Sequence, residues 1–241
     1  MHPELSRLID EAETVAVLTG AGISTESGIP DFRSPGGIWS KFRIIDHSEF
    51  MTSEAARLED WRRRFFMEDQ LGEVKPNRGH QMIARLIASG KSPAVITQNI
   101  DGLHQVSGVP DEQVIEVHGN ARHANCTFCG ARHEIAECRQ MLEATGKAPV
   151  CRQCGSIVKS AVIMFGEAMP EKAFARAVRL AEDCDLFLAM GTSLVVHPAA
   201  LLPKYALRAG AKLVIVNREA TELDPLADLV LNGEIGELAG D

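Results

Sequence analysis

Cys126 and Cys129 form one Cys-x-x-Cys pair, and Cys151 and Cys154 form a second pair 21 residues later. Each pair sets two sulfurs on one tight turn, and two such turns facing each other make a closed tetrahedral site for one zinc ion. Gly130 and Gly155 follow directly, giving each knuckle a residue free to take positive φ. A site closed by four thiolates has no open coordination position, so it holds structure and does not activate water. Residues 126–154 must therefore fold back around one ion, and the chemistry must lie elsewhere.

Other uses of these cysteines fit less well. Disulfides suit an exported chain, but Met1 to Glu4 lead into an amphipathic stretch with no apolar export segment. A redox pair needs only one Cys-x-x-Cys, near the opening of a βαβ unit. Cys138 and Cys184 stand outside the pattern, and Cys184, at a strand entry, reads as a small buried residue.

A chain of 241 residues can form one large α/β domain or a domain with an insertion. The net charge of −8 disfavours a nucleic-acid partner held by its phosphates. No apolar run approaches the roughly 20 residues that span a bilayer. A cytoplasmic protein with no direct nucleic-acid or membrane partner is expected.

Short apolar, β-branched runs at 14–19, 94–97, 114–117, 186–190, 212–216 and 228–231 read as buried parallel strands. Helical patterns lie among them, opened by Pro76, Pro170 and Pro198 and running to about Gly90, Glu182 and Ala209. This alternation predicts an α/β fold, a doubly wound parallel Rossmann-like sheet. Two stretches break the rhythm: 34–75, without a convincing strand, and 121–160, which carries the cysteines. They are expected to be the helical and zinc-binding parts of an inserted smaller module. The sheet domain is then 1–33, 76–120 and 161–241, and the cleft between the two is the default ligand site.

Gly20-Ala21-Gly22-Ile23-Ser24 follows the first strand, where backbone N–H groups can hold a pyrophosphate. Thr25 stands where a Gly-x-Gly-x-x-Gly fingerprint needs its last glycine, so an ordinary Rossmann dehydrogenase is not supported. The run continues to Asp31-Phe32-Arg33 and on to Trp39. Later blocks are Gln98-Asn99-Ile100-Asp101, His118-Gly119, Phe165-Gly166-Glu167 and Gly191-Thr192-Ser193. With both cysteine pairs between the His118 and Phe165 blocks, the chain resembles the sirtuins, NAD-dependent protein lysine deacylases, from roughly residue 14 to residue 237.

The resemblance implies a role for each block. Gly20, Ala21 and Gly22 would lie against the NAD phosphates, Asp31, Phe32 and Arg33 would lie on a loop closing over the cofactor, and Thr25 and Trp39 would also contact the cofactor. Gln98, Asn99, Ile100 and Asp101 would line the ribose and nicotinamide pocket, although Asp101 also fits an Asx-turn capping Leu103. Gly191, Thr192, Ser193, Asn217 and Ile235 would hold the rest of the cofactor. Phe165, Gly166, Glu167 and Val195 would flank an acyl-lysine peptide added as a strand, a mode that draws on main-chain hydrogen bonds. His118 matches the family's catalytic histidine, and a near-neutral imidazole suits a general base. Asn99 and Asp101 complete the expected catalytic set.

The reaction implied begins with attack of the acyl oxygen on the ribose carbon bearing nicotinamide. His118 then takes a proton from a ribose hydroxyl, and the products are free lysine, nicotinamide and O-acyl-ADP-ribose. Deacetylation is the main expectation. Long-chain or lipoyl deacylation, protein ADP-ribosyltransfer and a non-catalytic NAD sensor are the alternatives. Sirtuins that remove acidic acyl groups carry a Tyr-x-x-Arg pair, and its places fall here on Arg64 and Met67, so that preference is not supported. The stretch Trp61 to Phe66, with its three arginines, is expected to be a helix with one apolar and one solvated basic face.

Overall fold

The computed structural model of the chain describes residues 1–32 and 37–239, the side chains of 39 and 40 excepted. Among these, the strands are β1 (Val15–Thr19), β2 (Val95–Thr97), β3 (Val114–Glu116), β4 (Gly119–Cys126), β5 (Arg132–Glu134), β6 (Val158–Val162), β7 (Leu186–Met190), β8 (Lys212–Val216) and β9 (Leu229–Leu231). The helices are α1 (Pro3–Glu11), α2 (Ile38–Lys41), α3 (His47–Thr52), α4 (Glu54–Leu71), α5 (Arg78–Ala88), α6 (Leu103–Val106), α7 (Ile135–Thr145), α8 (Glu171–Asp183), α9 (Leu202–Ala209) and α10 (Ile235–Leu238).

Six strands form a parallel sheet in the order β3-β2-β1-β7-β8-β9. The expected α/β architecture is present. β1 and β7 are buried along their whole length, as strands covered on both faces must be. Val15 and Val17 join Leu5 and Leu8 of α1 and Met82 and Ile83 of α5 on one face. Ala16 and Leu18 join Ala177 and Leu180 of α8 and Leu202 and Ala206 of α9 on the other. The Asp185 carboxylate accepts from the Glu13 and Thr14 N–H groups at 2.8 Å each, which fixes the register of β1 on β7.

Two helices start later than their prolines suggest. The Asn77 side chain accepts from Gly79 and His80 N–H, and the His80 ring completes a capping box, so α5 begins at Arg78 and Pro76 stays outside. After Pro198, a 3₁₀ turn at Ala199–Leu201 precedes α9. Pro203 has no N–H to give the carbonyl four residues back, so no regular α-helix can run through from Pro198.

The antiparallel sheet β5-β4-β6 carries the cysteine turns. Trp61 and Phe65 of α4 pack into the same core as Cys126, Cys138, Cys151 and Val158. The Trp61 indole N–H donates to the Val158 carbonyl at 3.3 Å. Side chains of α4 and of the cysteine-bearing segment thus share one core. Among the described residues, no helix is long and apolar enough to cross a membrane.

Candidate active site and zinc centre

The strand order reverses direction between β1 and β7, and the turns that leave these two strands meet backbone to backbone. Gly22 N–H donates to the Gly191 carbonyl at 2.8 Å, and Gly20 N–H to that of Met190 at 3.1 Å. A Cβ on Gly20 would stand 2.7 Å from the Gly191 oxygen, and one on Gly22 2.8 Å from Gly191. Gly191 itself sits at φ 63°, where a side chain is strained. Glycine is required here by this close approach, which leaves a side-chain-free cradle at the carboxyl ends of the strands, where a dinucleotide pyrophosphate binds in such sheets.

Beside the cradle lies a connected set of polar side chains. Asn99 Nδ2 donates to the Gly20 carbonyl at 3.1 Å and to Ser24 Oγ at 3.2 Å. Ser24 Oγ donates to Asp101 Oδ2 at 2.7 Å, and Asp101 Oδ1 accepts from Leu103 N–H at 2.9 Å. The expected Asx-turn of Asp101 is therefore present, and the same residue lines the cavity described below. Gln98 Nε2 reaches Thr192 Oγ1 at 2.9 Å, tying the β2 end to the β7 end. His118 Nδ1 lies 3.1 Å from the Gln98 carbonyl oxygen. Since that oxygen only accepts, Nδ1 carries the proton and Nε2 is left as a base. Burial pushes the His118 pKa below the usual histidine value, and the bond to Gln98 offsets this in part.

Two further histidines stand behind this set with ring centroids 5.1 Å apart. Burial takes His80 down to about 4 and His104 to about 3. They are neutral structural groups, and His104 Nε2 pairs with Thr19 Oγ1 at 2.9 Å.

All this opens into one cavity of about 1040 Å³. It brings together Gly20, Ala21, Gly22, Thr25, Asp31, Phe32, Gln98, Asn99, Ile100, Asp101, His118, Phe165, Gly166, Glu167, Gly191, Thr192, Ser193, Asn217 and Ile235, all expected from sequence. Val195 does not line it and is 45% exposed. Arg33 and the Trp39 side chain lie outside the described residues. Sequence reasoning missed Ser24, the hub between Asn99 and Asp101; its place in the turn after β1 was the available signal. It also missed Lys159, 8% exposed, whose ammonium meets Glu167 at 3.0 Å and the Val162 carbonyl at 2.7 Å.

The four cysteine sulfurs lie within 4.8 Å of one another, the pairs Cys126–Cys154, Cys129–Cys154 and Cys129–Cys151 at 3.5, 3.6 and 3.7 Å. Four sulfurs at a zinc–sulfur distance of about 2.3 Å in a tetrahedron stand about 3.8 Å apart, so the residues fit zinc. Phe128 and Cys129 N–H groups point at Cys126 Sγ, and Gln153 N–H at Cys151 Sγ, each at 3.4 Å. Gly130 and Gly155 close the knuckles at φ 71° and 74°. Cys138 and Cys184 are buried apart, their thiols raised to about 11 by burial.

A parallel sheet with a glycine cradle at its switch point, a buried imidazole beside it and a closed sulfur site define an α/β dinucleotide-binding protein with a structural metal. The model of the Sir2 family matches residues 20–198, and the chain belongs to that family. It is 53% identical over 237 residues to an NAD-dependent protein deacetylase of Rhodopseudomonas palustris, covering 98% of this chain and 94% of the relative. It is 39% identical to an NAD-dependent protein deacetylase of Thermotoga maritima, with 98% and 94% covered. A solved Sir2–p53 peptide–NAD+ complex superposes with a TM-score of 0.89 at 38% identity, covering 98% of this chain and 95% of that one. Sir2Tm bound to a propionylated peptide does so with 0.87 at 37%, covering 98% and 94%.

Proposed function

We propose that this chain is an NAD-dependent protein lysine deacylase, with acetyl-lysine as its main substrate. The observation that carries the reading is His118, its Nδ1–H held by the Gln98 carbonyl and its ring on the wall of the cavity that contains the glycine cradle. NAD supplies an electrophilic ribose carbon with nicotinamide as leaving group, so the acyl group leaves lysine as O-acyl-ADP-ribose.

Gly20, Ala21 and Gly22 with Gly191, Thr192 and Ser193 hold the phosphates, Asp31, Phe32 and Arg33 belong to the covering loop, and Thr25 and Trp39 also contact the cofactor. Asn217 and Ile235 take the adenosine end. Gln98, Asn99, Ile100 and Asp101 orient the nicotinamide riboside, with Asn99 and Asp101 fixed through Ser24. His118 Nε2 accepts a proton from a ribose hydroxyl. Phe165, Gly166, Glu167 and Val195 take the acyl-lysine peptide as an added strand.

Cys126, Cys129, Cys151 and Cys154 hold one zinc that shapes the module formed by 34–75 and 121–160 against the sheet domain. A cytoplasmic setting suits this chain, since thiols stay reduced and free for zinc there.

Mass spectrometry of acetyl-, butyryl-, succinyl- and lipoyl-lysine peptides with NAD tests the reading. Loss of the acyl group coupled to O-acyl-ADP-ribose supports it. NAD binding without turnover of any peptide overturns it in favour of ADP-ribosyltransfer or sensing.

A further inference from the structure

The Gln98 carbonyl that holds His118 lies just past the end of β2, where the sheet stops fixing the backbone. The Thr97–Gln98 peptide group is still in the ladder. Its N–H donates to the Thr19 carbonyl at 3.0 Å, and its carbonyl accepts from Val117 N–H at 3.1 Å. The next peptide group, Gln98–Asn99, has a side chain in place of a ladder partner. Asn99 N–H donates to Thr97 Oγ1 at 3.0 Å, while the Gln98 oxygen on the opposite edge faces His118 Nδ1. One rigid planar unit is therefore tied down at its nitrogen and offered to the imidazole at its oxygen.

Thr97 is in turn held from behind. Thr19 Oγ1 donates to Thr97 Oγ1 at 2.8 Å, and with its proton so placed it accepts from His104 Nε2 at 2.9 Å. Thr19, Thr97 and His104 are 0%, 3% and 1% exposed, and none of them lines the cavity. Water does not reach this set to replace a missing member. Without Thr97 Oγ1, the N–H of the buried Asn99 would lose its partner. The peptide group would then be free to rotate toward another acceptor and carry the Gln98 oxygen away from His118.

We propose that Thr97, Thr19 and His104 are positioning residues for His118: a buried brace that sets the Gln98–Asn99 peptide plane and so keeps His118 Nε2 as the free base. They act through the backbone and touch neither substrate nor cofactor. The consequence for turnover rests on the deacylase reading above, whereas the tautomer is a property of the chain alone.

Nitrogen-15 NMR of the histidine rings above neutral pH reads that tautomer without substrate, the His118 signals being identified by their loss in His118→Ala. Wild type should show a single Nδ1–H form, Thr97→Val a mixture of both forms, and Thr97→Ser the wild-type pattern again. With acetyl-lysine peptide and NAD, kcat in Thr97→Val should fall by about tenfold, part of what a general base contributes. Affinities for peptide and NAD should hold within about twofold, since the loss falls on the chemical step. Thr97→Ser should recover most of the rate. Thr19→Val, one step further back, should shift the tautomer in the same direction and serves if Thr97→Val does not fold. His104→Gln, which can still donate to Thr19, should be milder than His104→Leu. An unchanged His118 tautomer in the folded valine variants, or a rate loss that Thr97→Ser does not recover, would make the brace merely structural and overturn the proposal. A tautomer shift in Thr97→Val with no acyl turnover by the wild type would uphold the brace and sink the deacylase reading instead.

Discussion

His118 Nδ1 stands 3.1 Å from the carbonyl oxygen of Gln98, and this one contact sets which ring nitrogen is free. His118→Ala should keep zinc and NAD binding but lose deacylation by about a hundredfold or more, the usual scale of a general base. Single-turnover product analysis checks this, and unchanged turnover would remove His118 from the mechanism.

The same histidine sets an acid limb. Its pKa is lowered by burial, so the neutral form persists below the ordinary histidine value of about 6.5. Activity should stay flat on acidification past that value and fall only at lower pH. A kcat/KM profile across pH 5–8 reads the position of the limb, and a limb above the ordinary value would contradict the burial argument.

Stability should move with pH through His80 and His104. Both are harder to protonate in the folded chain, at about 4 and about 3, than in the unfolded chain. Between those values and roughly 6.5 the unfolded state binds more protons, so stability falls as pH drops through this window. Urea midpoints at pH 7.5 and 5 should show the loss, and substitution of both histidines by non-titrating residues should flatten it.

The zinc is expected to be indispensable although it touches no substrate. Cys126→Ala or Cys154→Ala should release the metal, melt the antiparallel sheet and abolish activity. Metal content by mass spectrometry and melting temperature check this; an active metal-free variant would refute it.

Lys159 and Glu167 join β6 to the loop Met164–Glu167, whose Phe165 carbonyl accepts from His47 N–H at 2.9 Å. Removing one partner of such a covered pair costs about 3–5 kcal/mol. Lys159→Met should raise the peptide KM several-fold with NAD affinity nearly unchanged, and Lys159→Arg should recover part of it. Equal losses for both substrates would point to general destabilisation.

Much of this was legible in the sequence, for identifiable reasons. Runs such as Leu186–Met190 and Lys212–Val216 are strands because they are apolar throughout, and strands buried on both faces have no other pattern. The cysteine spacing is equally direct. Helix α4 was harder to read, because three consecutive arginines suggest solvent, yet the side chains of Arg63 and Arg64 are only 20% and 18% exposed. What decides their environment is α4's packing through Trp61 and Phe65 against Val158, nearly a hundred residues away, which no local pattern encodes. Ser24 was unmarked for the same reason: it matters through Asn99 and Asp101, which reach it only when β1 and β2 are paired.

The Gly22–Gly191 contact also dictates timing during synthesis. β1 is made early, but its neighbour β7 and the second wall of the phosphate cradle are made some 170 residues later. A ribosome-bound chain that has reached the cysteines can already form its metal knot, yet has no place for a nucleotide. Pairings this distant in sequence form slowly, so the nascent chain should acquire zinc first and cofactor affinity last. An enzyme fragment ending before Leu186 would be a metalloprotein with no catalytic identity.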